Sequence, residues 1–186
     1  MASAVTVCNG ALIKVGAARI AALSENSVEA RICNDRYEHV LKDLLRSHPW
    51  NFATKWVELA EVVNPPDSEY DYVFQLPGDC LRVIQTDCEV DKWAVEGEYI
   101  GADITPVTIQ YIAYETDVNK WDDNFREVMS CKLAYDICYA LAQSAALKRE
   151  IGEEYRARLR EARSFNGQEG SPPRVYANTW LNSRKS

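Results

Sequence analysis

A chain of 186 residues with 47% hydrophobic content fits one globular domain, or one domain carrying an insertion. Its 28 acidic and 21 basic residues give a formal net charge of −7, which argues against gripping nucleic acid through its phosphates or coating an anionic membrane. It has six cysteines but no CxxC pair and only two histidines, His39 and His48, so a zinc site is not expected.

Residues 1–24 contain no acid, and neither do residues 171–186. Helical spacing predicts a first helix over 3–16, with Val7, Ala11, Leu12 and Val15 on one stripe and Gly16 as its stop. Asn26, with Glu29 three residues later, reads as a capping-box start for a second helix over 27–47. That helix buries Cys33, Tyr37, Val40, Leu41, Leu44 and Leu45, and Glu38 with Lys42 makes a surface pair. Pro49 ends it, and Trp50 and Phe52 bury their rings where the chain changes direction.

Between about 55 and 115 the pattern changes. Runs at 55–63, 70–75 and 81–86 are rich in Val, Ile, Leu and aromatics. They are separated by the turn signals Pro65, Pro66, Asp67, Ser68 and Leu76, Pro77, Gly78, Asp79. Gly97 between 93–96 and 98–100 marks a tight hairpin. Residues 107–114 form the clearest strand, with Ile109, Tyr111 and Ala113 alternating against Gln110, Ile112 and Tyr114. We expect one small antiparallel sheet inserted between two helical pairs.

Residues 125–147 are apolar on more than one face, through Val128, Met129, Leu133, Ala134, Ile137, Cys138, Leu141, Ala142 and Ala145. Such a helix is a buried one, while Lys132, Asp136 and Gln143 make it a poor membrane span. Ile151, Tyr155, Leu159 and Ala162 mark a last amphipathic helix over about 148–166, its outer face mixing Arg and Glu. The break before it is expected between Ser144 and Arg149, with one long helix kinked near Gly152 as the alternative. Gly167, Gly170, Pro172 and Pro173 then open a tail, 167–186, whose Val175, Tyr176, Trp180 and Leu181 are too apolar for a mere linker.

The expected fold class is thus α+β, mainly α. It is a single domain over 1–166, a bundle of about four helices (3–16, 27–47, 121–145, 148–166) with an inserted antiparallel β region and an extended C-terminal tail. The cysteines are read as reduced and mostly buried thiols, and no secretory leader is recognised, so synthesis in the cytoplasm is expected. Dinucleotide, phosphate-loop, metalloprotease, nucleophile-elbow and EF-hand patterns are missing from the sequence. Neighbouring carboxylates at Glu96 and Glu98, Asp122 and Asp123, and Glu153 and Glu154 are what any acidic chain offers. We expect no enzyme and no cofactor.

An ordered set of residues runs through this pattern. It comprises Asn9, Gly10, Ala11, Leu12, Val15 and Gly16; Ile20 and Leu23; Ala30, Tyr37, Leu41, Leu44 and Leu45; and Pro49, Trp50, Asn51, Phe52 and Ala53. Tyr72 and the turn Leu76, Pro77, Gly78, Asp79, Cys80, Leu81, Arg82, Val83 follow, then Tyr111, Phe125, Leu133, Ala134, Leu141, Ala142, Ala162 and the terminal Trp180, Leu181, Asn182, Ser183, Arg184. In this order the chain resembles the head-to-tail adaptor proteins of tailed bacteriophages, especially the tail tubular protein A family of short-tailed phages. It departs from that pattern after Ala142, where Ser144, Ala145 and Ala146 replace the usual Pro or Gly.

The resemblance implies a structural virion protein at the head–tail junction. Such proteins form a ring, usually of twelve copies, under the portal, which extends the DNA channel and offers a platform to the next, nozzle-type or fibre, tail protein. Double-stranded DNA would pass without sequence-specific binding, and no membrane would be involved. The tail residues Arg174, Val175, Tyr176, Trp180, Leu181 and Arg184 are the expected portal interface. Pro49, Trp50, Phe52, Leu76, Pro77, Asp79, Leu81 and Arg82 are expected as structural motif residues. The alternatives are a tail-associated cell-wall hydrolase, which would lose activity on Glu96→Gln or Glu98→Gln, and a general protein-interaction module with no virion role.

Overall fold

The computed structural model describes residues 3–63, 67–88 and 92–169. Helix α1 (Ala4–Val15) begins where the Ser3 hydroxyl accepts the Thr6 amide and ends at Gly16, whose φ of 72° favours a residue without Cβ. Helix α2 (Val28–Arg46) is capped by Ser27, which accepts the Ala30 amide at 3.2 Å. The capping-box expectation at Asn26 is thus displaced by one residue. A box on Ser27 would need an acidic or amide side chain at position 30, which is Ala30.

Helix α3 (Asp123–Ala142) is capped by Asp122, and helix α4 (Ala145–Gln168) by Ser144. The break between them lies at Gln143 and Ser144, at the early edge of the expected span 144–149, because Gln143 takes φ 49° in the left-handed region normally left to Gly or Asn. The alternative of one long helix does not hold: Gly152 lies inside α4, against the Tyr135 ring. Helix α3 packs against α1, α2 and α4. Its Phe125, Val128, Met129, Leu133, Ala134 and Ile137 are all buried in one core with Leu12, Val40, Leu41, Leu44 and Ile151.

The β region forms two sheets, not the one expected. Strands β1 (Thr54–Glu58), β3 (Cys80–Thr86) and β6 (Thr108–Ala113) make a three-stranded antiparallel sheet in the order β1-β6-β3. Strands β2 (Tyr72–Gln75), β4 (Trp93–Glu96) and β5 (Tyr99–Ala102) make another in the order β2-β5-β4. Local alternation marks strands but not partners. The pairings β1 with β6 and β2 with β5 join distant segments and are decided by packing. Strand β6 explains the arrangement: Ile112 enters the helical core, while Ile109, Tyr111 and Ala113 enter a second core with Leu59, Phe74 and Ile100.

The corner between α2 and β1 is an aromatic knot. Trp50 is fully buried and donates its indole N–H to the Leu44 carbonyl at 3.1 Å. Phe125 meets Trp50, Phe52 and Trp121 edge to face, with centroids 4.8–5.1 Å apart. The sequence-based placement of Trp50 and Phe52 at the change of chain direction therefore holds.

Gly10 marks the closest approach of α1 to α3. A Cβ there would lie 2.9 Å from the Ser130 hydroxyl, which donates to the Val7 carbonyl at 3.2 Å. Gly10→Ala would gain up to about 1 kcal/mol of helix propensity and lose about 1–3 kcal/mol to overpacking, so net destabilisation is expected in urea titration. Adding Ser130→Ala should return part of that loss, read as non-additivity in a double-mutant cycle.

Candidate functional site

The expected portal-interface residues Arg174, Val175, Tyr176, Trp180, Leu181 and Arg184 lie outside the described residues, as do Pro65 and Pro66. The structural motif residues fall at two joints. In the turn between β2 and β3, Asp79 is the hub. Its carboxylate pairs with Lys55 of β1 at 2.8 Å and accepts the Tyr111 hydroxyl of β6 at 3.1 Å. Its carbonyl accepts the Tyr114 amide at 2.7 Å. Burial opposes the charge, but Lys55 and Tyr111 hold this carboxyl below the usual range. Leu76 packs on the second core and Leu81 on the helical one, whereas Arg82 is exposed and joins neither.

At the second joint, Asn166 near the end of α4 clasps the chain after α2. It accepts the Asn51 amide at 2.8 Å, and its carbonyl accepts the Asn51 side chain at 2.9 Å. Its own Nδ2 donates to His48 Nε2 at 3.1 Å and to the Pro49 carbonyl at 3.2 Å. Sequence reading passed over Asn166; its one signal was a polar residue four positions after Ala162, on the buried stripe. Arg126 was also passed over. It holds the approach to α3 by donating to the carbonyls of Val118 at 3.0 Å and Trp121 at 2.6 Å.

The neighbouring carboxylates are not brought face to face. Glu96 and Glu98 are both exposed at the tip of the β4–β5 hairpin. Asp122 caps α3, and Asp123 pairs with Arg126. Glu154 does enter a cluster, in which Glu127, Cys131 and Glu154 place ligand-type atoms within 4.8 Å of one another. Yet Lys14 Nζ lies 2.8 Å from Glu127 and 2.7 Å from Glu154, so a cation of the chain already meets their charge. Burial pushes the Cys131 thiol up to about 12, so it stays protonated and is a poor metal ligand. Burial alone would lower the Lys14 pKa, but its bonds to the two carboxylates raise it instead. The cluster acts as an ionic tie from α1 to α3 and α4.

Exposed apolar side chains are spread over several elements of the described surface. Ile13 on α1, Val28 on α2, Trp56 on β1, Val95 on β4, Tyr139 on α3 and Phe165 on α4 are all exposed, and Val63 is 91% exposed. A cleft of about 440 Å³ separates β3 from β4 and is bordered by Arg46, Leu81, Arg82, Val83, Trp93 and Val95. Among the described residues no helix is long and apolar enough to cross a membrane. With this geometry in hand, comparison with known proteins adds no name: no family model and no curated protein matches the chain.

The clasp at Asn166 makes stability depend on pH. Burial lowers the His48 pKa below its ordinary value, and Arg163 and Arg82 lower it further. Protonation would also place a proton on the nitrogen that accepts from Asn166. The contribution is therefore fully present above pH about 6.5 and is lost as pH falls from there towards the folded-state value. Urea midpoints measured between pH 7.5 and 5 should fall with pH, and His48→Gln, which keeps an acceptor, should flatten that fall. Asn166→Ala should cost about 1–3 kcal/mol at neutral pH, because it removes the buried side chain that bonds the Asn51 amide, His48 and the Pro49 carbonyl.

Proposed function

We propose that this chain is a head-to-tail adaptor of a tailed bacteriophage, a structural protein without catalytic chemistry that forms a ring beneath the portal. The ring extends the DNA channel and carries the next tail protein. The observation that carries the reading is the ordered set of residues from Asn9 to Ala162 that resembles the tail tubular protein A family. Several of those residues are joints of the fold. Asn9 exchanges two hydrogen bonds with the Ile20 backbone, at 2.8 and 2.9 Å. Gly10 sets the α1–α3 crossing, Trp50 and Phe125 make the aromatic knot, and Asp79 and Tyr111 lock the β2–β3 turn.

Two further features fit. The cleft between β3 and β4, bordered by Trp93 and Val95, offers an apolar surface to a neighbouring subunit. The net charge of −7 suits a channel along which DNA slides, since an acidic wall repels phosphate. The tail 171–186 is the segment assigned to the portal. Its Trp180, Tyr176, Arg174 and Arg184 are the residue types that dominate interfaces.

Mixing the purified protein with the portal protein of the same genome should add a ring to one end of the portal in negative-stain images, with twelve subunits by symmetry. Bare portals at saturating, well-folded protein would overturn the reading. Deleting residues 171–186 should abolish portal binding and leave the circular dichroism melt unchanged.

A further inference from the structure

Two sheet margins of this molecule are complementary. The cleft between the sheets is bordered by Leu81, Arg82 and Val83, three consecutive residues of β3. Side chains alternate between faces along a strand, so a cleft that touches all three meets the strand at its margin. Strand β3 is an edge strand, its described pairing being with β6 alone. The opposite wall is Trp93 and Val95, which share one face of edge strand β4. Arg46 and Arg82 add positive charge, and neither guanidinium has an ion-pair or hydrogen-bond partner among the described residues. Among the described residues the site is an apolar slot with an unpaired backbone edge and two cations without partners.

The far margin of the other sheet presents the opposite character. Beyond β2 the chain at 61–62 is held against that strand, through a bridge between Glu61 and Phe74 and a hydrogen bond from the Val62 amide to the Val73 carbonyl at 2.9 Å, and it bends at Val63. Strands β2 and β4 occupy opposite edges of their sheet. Glu58 and Glu61 are exposed acids whose carboxylates have no partner among the described residues, and Val63 is 91% exposed. A short run with an exposed apolar side chain and exposed carboxylates that have no partner among the described residues is what the slot on the opposite edge would receive.

We infer that the β3–β4 cleft of one copy takes residues 58–63 of a second copy, with Val63 against Trp93 and Val95 and the Glu61 and Glu58 carboxylates on Arg46 and Arg82. The inference names the subunit contact of the proposed ring, and so rests on that reading. The contact joins two different patches, making it heterologous, the kind that forms a ring when its rotation closes. Residues 58–62 are already fixed in the free chain, by the pairing of Glu58 with Thr108, the Leu59 amide on the Val107 carbonyl and the Val62 amide on the Val73 carbonyl, so little ordering entropy is lost on docking. Register shifts between Cys80 and Arg82 and between Val83 and Gln85 keep the open edge short. That discourages open-ended stacking along the edge. The chain's own tail is the wrong occupant: residues 171–186 hold Arg174, Arg184, Lys185 and no acid, the same sign as the cleft.

The test places the photo-crosslinker benzoylphenylalanine at position 95 of the full chain, in an equal mixture of isotopically labelled and unlabelled protein, with and without portal protein. Mixed-label crosslinks mapping to 58–63 are expected. Arg82→Glu and Glu61→Arg should each lower their yield about tenfold, and the two together should restore it. Crosslinks confined within one copy, or reaching 171–186 or the portal protein, would overturn the contact, as would charge reversals without effect. Rings on the portal whose crosslinks avoid 58–63 would sink this contact and keep the adaptor reading. Crosslinks to 58–63 without any ring would do the reverse.

Discussion

A helix with apolar groups on every side cannot rest on one partner, and α3 imposes that condition on the rest of the chain. Its Phe125, Val128, Met129, Leu133, Ala134 and Ile137 point towards different neighbours, and α1, α2 and α4 are the cover. Each large apolar side chain removed from water contributes about 1.5–3 kcal/mol. A surface ion pair contributes about 0–1 kcal/mol. The Lys14 tie to Glu127 and Glu154 and the Arg36 pair with Asp136 therefore orient the helices, and burial holds them together.

The same logic passes to the β region through strand β6. Because β6 is covered on both faces, the sheets are not a loose appendage: Ile112 belongs to the helical core and Ile109 to the second core. The polar groups that serve this junction are satisfied. Asp79 ties β1, the β2–β3 turn and β6 into one unit, and Asn166 closes α4 over the corner where α2 gives way to β1. Of the buried groups, the Tyr37 hydroxyl and Arg163 Nε have no partner among the described residues. Burial raises the Tyr37 pKa, so that hydroxyl stays neutral.

What could be read from the sequence follows from the range of the forces involved. Periodicity found the four helices, because the core-facing stripes of α2 and α4 and the all-round burial of α3 are local patterns. Turn chemistry found the hairpin at Gly97 and the turn at Asp79 for the same reason. The α3–α4 break was left spread over several residues because Gln143, not a glycine, takes the left-handed conformation. The division into two sheets was missed because strand partners are chosen across the fold. Of the site residues, Trp50, Phe52 and Asp79 were legible as structural groups. Asn166 was not, since nothing local marks a helix asparagine whose partners lie more than a hundred residues away. Arg82 was legible as part of a turn motif, but its exposure beside a cleft depends on strand order.

Strand order also bears on assembly. A chain whose sheets both ended in paired or covered edges would have little reason to associate through them. Here β3 and β4, edge strands of different sheets, open onto one cleft, and the margin beyond β2 carries acids and Val63. Both arise from one topological choice, the pairing of β1 with β6 and of β2 with β5, which splits the insertion into two sheets and leaves a slot between them. Had the six strands formed a single sheet, the slot and its lining by Trp93 and Val95 would not exist. The second core under Ile109 and Phe74 holds the two sheets together, and so sets the width of the slot as well as the stability of the insertion.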